Sequence, residues 1–237
     1  MSRIKKEIQE FYKFLRFSHH ALLILVEIIS GALLSLLMLM IFAEITEKVL
    51  YEQVLFIDVN FAEFIYSLRT PFLTILMNVI TYFGSSVVIF ITTVFIILVS
   101  FRKHRKEAIF FIFTLFMGIT INFFLKLIFQ IPRPNIAPLI VENTYSYPSG
   151  HAMNSLVLYG TVSYLTYRYF HNKKLEAIVI TVSMVLVFLI GFSRIYLGVH
   201  YLSDVVAGYI AGFFWLLMCI LIERSIRFLR LFIKFEE

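Results

Sequence analysis

GFSRIYLGVHYLSDVVAG, residues 191–208, joins two long apolar runs and places Arg194, His200 and Asp204 within eleven positions. The runs on either side lie near 175–196 and 205–222. Each is long enough to cross a hydrocarbon core of roughly 30 Å. Working outward, similar runs lie near 152–170, 107–128, 85–101 and 21–43. Of the 237 residues, 60% are apolar and 15% charged, which is outside the range of soluble domains. The expected fold is therefore all-α: a polytopic membrane bundle of six transmembrane helices in one integral-membrane domain, 1–237.

The segment VLFIDVNFAEFIYSLRTPFLTILMNVITYF, 54–83, is apolar but interrupted by Asp58, Glu63, Arg69 and Pro71. It reads as interfacial or partly inserted helix between spans one and two, with a seventh span as the alternative. The first apolar run follows about twenty polar residues without a small-residue cleavage pattern, so a retained anchor is expected rather than a signal peptide. Cys219 is the single cysteine, which leaves no internal disulfide and no cysteine pair for a metal. No internal repeat or low-complexity tract is visible.

Lysine and arginine near the span ends give the orientation. Arg3, Lys5, Lys6, Lys13 and Arg16 precede span one, and Arg102, Lys103, Arg105 and Lys106 link spans two and three. Arg168, Lys173 and Lys174 link spans four and five, and Arg224, Arg227, Arg230 and Lys234 follow span six. All four clusters fall on one side, expected to be cytoplasmic together with both termini and the segment 1–20. The net charge of +6 then reflects topology and attraction to anionic lipid, and no nucleic-acid partner is expected. His19, His20, His104 and His171 sit among these clusters, whereas His151 and His200 stand at the opposite ends of spans.

Three stretches converge on that opposite side: KLIFQIPRP at 126–134, YPSGH at 147–151 and SRIYLGVHYLSD at 193–204. An ionisable group within a span costs about 2.5–3.5 kcal/mol on insertion scales, so several at one depth point to a polar cavity. Lys126 and Arg133 are seven apart, with Pro132 and Pro134 expected to break the helix near Arg133. Both could snorkel to the interface, as could Arg194. Aimed at one pocket, the three cations suit an anion with several oxygens, above all a phosphate. In YPSGH, Ser149 can cap a helix beginning near His151 and Gly150 lets the backbone approach a ligand closely. His200 and Asp204 are i and i+4, so the carboxylate can fix one imidazole nitrogen and leave the other as a nucleophile, unless the pair is purely structural. Tyr196, Tyr201 and Ser203 read as packing or interfacial residues, with support of the site by hydrogen-bond donation as the alternative, and Glu27 and Asn122 read as helix-to-helix hydrogen-bonding groups, with lining a path as the alternative. Asn135 and Glu142, in the loop before YPSGH, are candidates for shaping headgroup choice.

Together these stretches resemble the signature of the type 2 phosphatidic acid phosphatase family: Lys, six residues, Arg-Pro; Pro-Ser-Gly-His; Ser-Arg, five residues, His, three residues, Asp. Lys126, Arg133, Pro134, Pro148, Ser149, Gly150, His151, Ser193, Arg194, His200 and Asp204 meet all its positions. The motif-bearing core is about 107–222, and the first hundred residues carry no motif. The resemblance implies that His200 attacks phosphorus and forms a phosphohistidine, that Asp204 orients it, and that His151 protonates the leaving oxygen and then activates water. It assigns Lys126, Arg133, Ser149, Gly150 and Arg194 to the phosphoryl oxygens. No metal and no other cofactor is implied.

The family it resembles also includes soluble vanadate-binding haloperoxidases, but six spans make a lipid substrate the better reading. The loop RPNIAPLIVENTYSYPSGHAMNS looks most like bacterial members acting on phosphatidylglycerol phosphate and undecaprenyl pyrophosphate. The partners expected are the lipid substrate and the bilayer, with no obligatory protein partner. A phosphotransferase using the same phosphohistidine, or a non-catalytic lipid-phosphate binding or transport protein, is the alternative.

Overall fold

The structure, a computed structural model, describes residues 2–52, 55–100, 104–135, 137–170 and 172–236, without the side chains of 2–20, 100, 231, 232 and 234–236. Arg102, Lys103 and His171 lie outside the described residues, as do the side chains of Arg3, Lys5, Lys6, Lys13, Arg16, His19, His20 and Lys234. The described residues form helices and no strand: α1 (Ser2–Glu52), α2 (Phe56–Ser67), α3 (Pro71–Tyr82), α4 (Ser86–Ser100), α5 (Arg105–Phe129), α6 (Gly150–Tyr169), α7 (Lys173–Tyr196) and α8 (Leu202–Glu236).

Residues 1–37 with 217–237 make one compact unit and residues 38–216 a second. In the first, Glu27 on α1 pairs with Arg224 on α8 at 3.4 Å, a helix-to-helix contact made as an ion pair. All eight motif residues with a proposed role lie in the second.

Among the described residues, four helical segments are long and apolar enough to cross a membrane: Ala21–Glu52, Arg105–Phe129, Lys173–Tyr196 and Leu202–Arg230. Taken together, α3 and α4 form a fifth candidate, bent by 41° at the break between them. The expected six are thus not reached by length and composition alone. At 15 residues α4 spans only about 22 Å at 1.5 Å per residue, less than the run at 85–101 suggested. The segment 54–83 is two short helices, and the second of them continues into α4 through the bend.

Local chemistry accounts for these breaks. Thr70 caps α3, its hydroxyl accepting from Leu73 N–H, and Pro71 occupies the first helical position, where its missing N–H costs no hydrogen bond. At the α3–α4 break the Phe83 carbonyl accepts from the Tyr159 hydroxyl at 3.0 Å. Gly84 is required there by close approach, because a Cβ would lie 2.5 Å from Ile190 and 3.2 Å from the His151 ring.

The second unit is apolar outside and buries many polar groups beside its apolar core. Phe90, Phe116, Phe123 and Phe188 are exposed, while Ser155, Thr161, Ser193, Arg194, His200 and Asp204 are buried. This inverts the soluble pattern and follows from lipid as solvent, where polar groups must find partners within the bundle. Helix α6 packs against both α5 and α7. Its buried serines and threonines keep it below the hydropathy of a lipid-facing span.

Candidate active site

Between α7 and α8 the chain turns through Leu197–Tyr201, and this corner is almost wholly buried: His200 and Asp204 are each 1% exposed. Helix α8 begins at Leu202, so His200 precedes it and the i, i+4 pair is made across a helix start rather than along a helix face. His200 Nδ1 lies 3.2 Å from Asp204 Oδ2. The same oxygen accepts from Tyr201 N–H at 2.9 Å and from the Ser146 hydroxyl. Ser146 Oγ is also 3.1 Å from His200 Nδ1. A carboxylate fixed by two other donors is the natural acceptor for an Nδ1 proton, which leaves the lone pair of the ring on Nε2.

Nε2 faces Arg133, whose NH1 is 3.1 Å away and also donates to Val199 O at 2.8 Å. Arg133 is held further by Thr144, through its carbonyl at 2.7 Å and its hydroxyl at 2.9 Å. Burial, followed by the charges of Arg133, Arg194 and Lys126, pushes the His200 pKa well below the usual histidine value. The imidazole is therefore neutral at physiological pH.

Arg194, on the last turn of α7, donates from NH1 to Thr81 Oγ1 at 2.8 Å and from NH2 to Glu142. Glu142 reaches Arg133 with its other oxygen at 3.8 Å, so one loop carboxylate bridges two of the three motif cations. Arg194 Nε is buried without a hydrogen-bond partner. The third cation, Lys126, sits on the last turn of α5, which ends at Gln130 in the left-handed conformation, before Pro132. Its ammonium donates to the carbonyls of Tyr145 and Ser146, the latter at 2.9 Å. Lys126 and Arg133 thus meet the site from a helix end and a loop, not from one helix face.

Ser149 caps α6, accepting from Ala152 N–H, as its place in YPSGH predicts. Its own N–H donates to Asp204 O at 2.9 Å, which ties the second motif to the third. The Tyr147–Pro148 peptide bond is cis. Asn122 donates to Pro148 O at 3.3 Å, and a Cβ on Gly150 would lie 2.9 Å from the Asn122 amide oxygen. Asn122 thus braces the YPSGH turn. His151 follows in the first turn of α6, half-buried beside Gly84 and within electrostatic reach of Arg194, Arg133, Lys126 and His200. Among the described residues its ring is outside the hydrogen-bonded chain that links Arg133, His200 and Asp204.

The structure therefore brings Lys126, Arg133, Ser149, Gly150, His151, Arg194, His200 and Asp204 to one corner of the second unit. Sequence reasoning missed Ser146, Thr81 and Asp58, and it read Ser203 and Tyr196 as packing. The Ser203 N–H and hydroxyl both bond to Asp58, and the Tyr196 hydroxyl accepts from Thr70 N–H at 3.1 Å. None of these lies at a spacing that marks it, since each partner is distant in sequence. Among the described residues no group of three or more His, Cys, Asp or Glu is placed to hold a metal ion.

Comparison with known proteins gives the family and the fold. A model of the PAP2 superfamily matches residues 107–227. Phosphatidylglycerophosphatase B of Bacillus subtilis is 32% identical over 149 residues, covering 61% of this chain and 72% of the relative. A lipid A 4'-phosphatase of Porphyromonas gingivalis is 28% identical over 133 residues, covering 50% of this chain and 53% of its own length. Among solved structures, a transmembrane PAP2-type phosphatidylglycerolphosphate phosphatase from Bacillus subtilis superposes with TM-score 0.74 at 24% identity, covering 81% of this chain and 96% of the other. LpxE of Aquifex aeolicus gives TM-score 0.57 at 24% identity, over 69% and 94%. These two share the fold. With its family match, its Bacillus relative and its apolar helices, the chain belongs to the PAP2 superfamily and is a membrane lipid phosphatase.

Proposed function

We propose that this protein hydrolyses lipid phosphate or pyrophosphate esters through a phosphohistidine at His200. The observation that carries the reading is the orientation of one imidazole: Nδ1 against Asp204 and neutral Nε2 beside Arg133. In the first step the Nε2 lone pair forms a bond to phosphorus as the bond from phosphorus to the lipid-side oxygen breaks. His151 gives that oxygen its proton. In the second step His151 takes a proton from water, the hydroxide attacks phosphorus, and the phosphorus–nitrogen bond breaks to release phosphate. Asp204 stabilises the positive charge that His200 carries between the steps.

Lys126, Arg133, Arg194, Ser149 and Gly150 are assigned to the phosphoryl oxygens. Glu142 engages both arginines, so an arriving phosphate exchanges with this carboxylate. The leaving group needs no recognition of its own by these residues, which favours several lipid phosphates over one. The Bacillus relative makes phosphatidylglycerol phosphate the first substrate to try, with undecaprenyl pyrophosphate and phosphatidic acid beside it.

The six-span topology belongs to the same proposal, with α6 and the bent α3–α4 pair joining the four apolar helices. At 20 residues α6 is about 30 Å long, enough to span. Both termini then face the cytoplasm and the site faces outward. A cysteine at exposed Asn143 should react with an impermeant maleimide in intact cells, and protection until lysis would reverse the orientation. Purified protein should release phosphate from the three lipids in EDTA and be inhibited by vanadate; no release from any of them would overturn the activity.

A further inference from the structure

Helix α8 begins at Leu202, and the first-turn N–H groups of a helix need acceptors from outside it. The residue before it, Tyr201, has no side-chain acceptor suited to capping. The acid of the first turn, Asp204, is turned back onto Tyr201 N–H, the Ser146 hydroxyl and His200 Nδ1. It cannot at the same time serve Ser203. That role falls to Asp58 on α2, 145 positions away in sequence, whose Oδ1 accepts from Ser203 N–H at 2.8 Å and whose Oδ2 accepts from the Ser203 hydroxyl at 2.7 Å. Asp58 is 1% exposed, so these bonds are made away from water.

We infer that Asp58 is a positioning residue for the nucleophile: by capping α8 it leaves Asp204 free to hold His200. Asp58 lies outside the segment 107–227 matched by the family model, in the part of the chain that carries no motif. Without it, Ser203 N–H and its hydroxyl lose their acceptor, and Asp204, one residue on, is the nearest carboxylate to which they can turn. The displacement would act first on His200, because Lys126, Arg133 and Arg194 each keep a hydrogen bond that involves neither Asp204 nor Asp58.

This inference rests on the phosphatase reading, and the test separates the two. Full-length protein in detergent is assayed for kcat and KM on phosphatidylglycerol phosphate and for inhibition by inorganic phosphate and by orthovanadate. Wild-type protein that releases no phosphate refutes the activity before any variant is compared. Asp58→Ala should lower kcat roughly 10- to 100-fold with KM little changed. Vanadate, which mimics phosphorus bonded to the attacking nitrogen, should weaken in parallel, while inhibition by phosphate, which needs only the cations, stays within about twofold. Asp58→Asn keeps an oxygen for Ser203 N–H and an amide donor for its hydroxyl, and should recover kcat to within roughly threefold. Two results overturn the inference: an Asp58→Ala enzyme with wild-type kcat, or one in which phosphate and vanadate inhibition fall together and Asp58→Asn rescues neither. If Asp58→Ala does not fold, Ser203→Ala decides, since it removes one of the two bonds. A threefold or larger fall in kcat with unchanged phosphate inhibition supports the inference, and wild-type kcat refutes it.

Discussion

Two regions build the buried corner, and they do so differently. On the proposed mechanism, the motif half, Lys126 to Asp204, supplies the groups that touch the phosphate. The α2–α3 hairpin, Phe56–Tyr82, supplies none of them, yet it grips the corner at three points. Asp58 caps α8, Arg69 donates to Tyr196 O at 3.0 and 2.7 Å and to Ala137 O at 2.8 Å, and Thr81 accepts from Arg194. Chemistry is confined to one region, while its geometry is shared between both. Substitutions in the motif half should therefore change what the site can do, and substitutions in the hairpin only how well it does it.

The largest expected effect is at His200. His200→Ala should reduce phosphate release at least about a thousandfold, and the 32P-labelled protein that an alkaline detergent quench traps from labelled substrate in the wild type should be absent. Retained activity would remove the nucleophile from the motif half and the comparison with it. The same residue sets the acid side of the pH profile. Its depressed pKa keeps the imidazole neutral as pH falls through the ordinary histidine range, so the acid limb of kcat/KM should lie well below pH 6.5. A limb from His200 at or above 6.5 would mean that burial and the three cations do not act on it in solution.

Next comes Arg194→Lys, which keeps the charge and loses the fork. One arm of the guanidinium meets the motif-half loop at Glu142 and the other meets the hairpin at Thr81, and an ammonium cannot span both. A fall of about a hundredfold in kcat/KM is expected. A fall of less than about fivefold would show that Arg194 acts as a point charge, without need of the hairpin.

How far this division can be read from sequence follows from the same contrast. Lys126, Arg133, Ser149, Gly150, His151, Arg194, His200 and Asp204 stand out along the chain itself, because they fall at the spacings of the signature that the sequence resembles. Ser149 as a cap and His200 beside Asp204 are legible because both interactions are local in the chain. Asp58–Ser203 and Thr81–Arg194 are not, since they close loops of more than a hundred residues and involve residue types common in any helix. Glu142 reads as a loop acid that shapes headgroup choice, but its pairing with Arg194 and Arg133 is not legible, because these partners come together only in the fold. Hydropathy locates the lipid-facing helices well. It blurs α3 and α4, which a bend at a break of the helix separates, and α6, where a polar buried face changes composition without ending the helix.

The smallest effects come from the two groups that hold Arg194, and they should differ in sign. Glu142 occupies the guanidinium that phosphate must reach, so it competes with ligand. Glu142→Gln should strengthen inhibition by inorganic phosphate, by about tenfold at low salt and less at high salt, where the charge is screened. Thr81 holds the other arm from the hairpin side and has no charge to exchange, so phosphate can bind with this bond in place. Thr81→Ala should weaken phosphate inhibition by roughly threefold, the scale of one hydrogen bond, and Thr81→Ser should restore it. If both variants shift affinity in the same direction, Glu142 is a brace like Thr81, and the line between groups that are displaced and groups that stay cannot be drawn between the two regions.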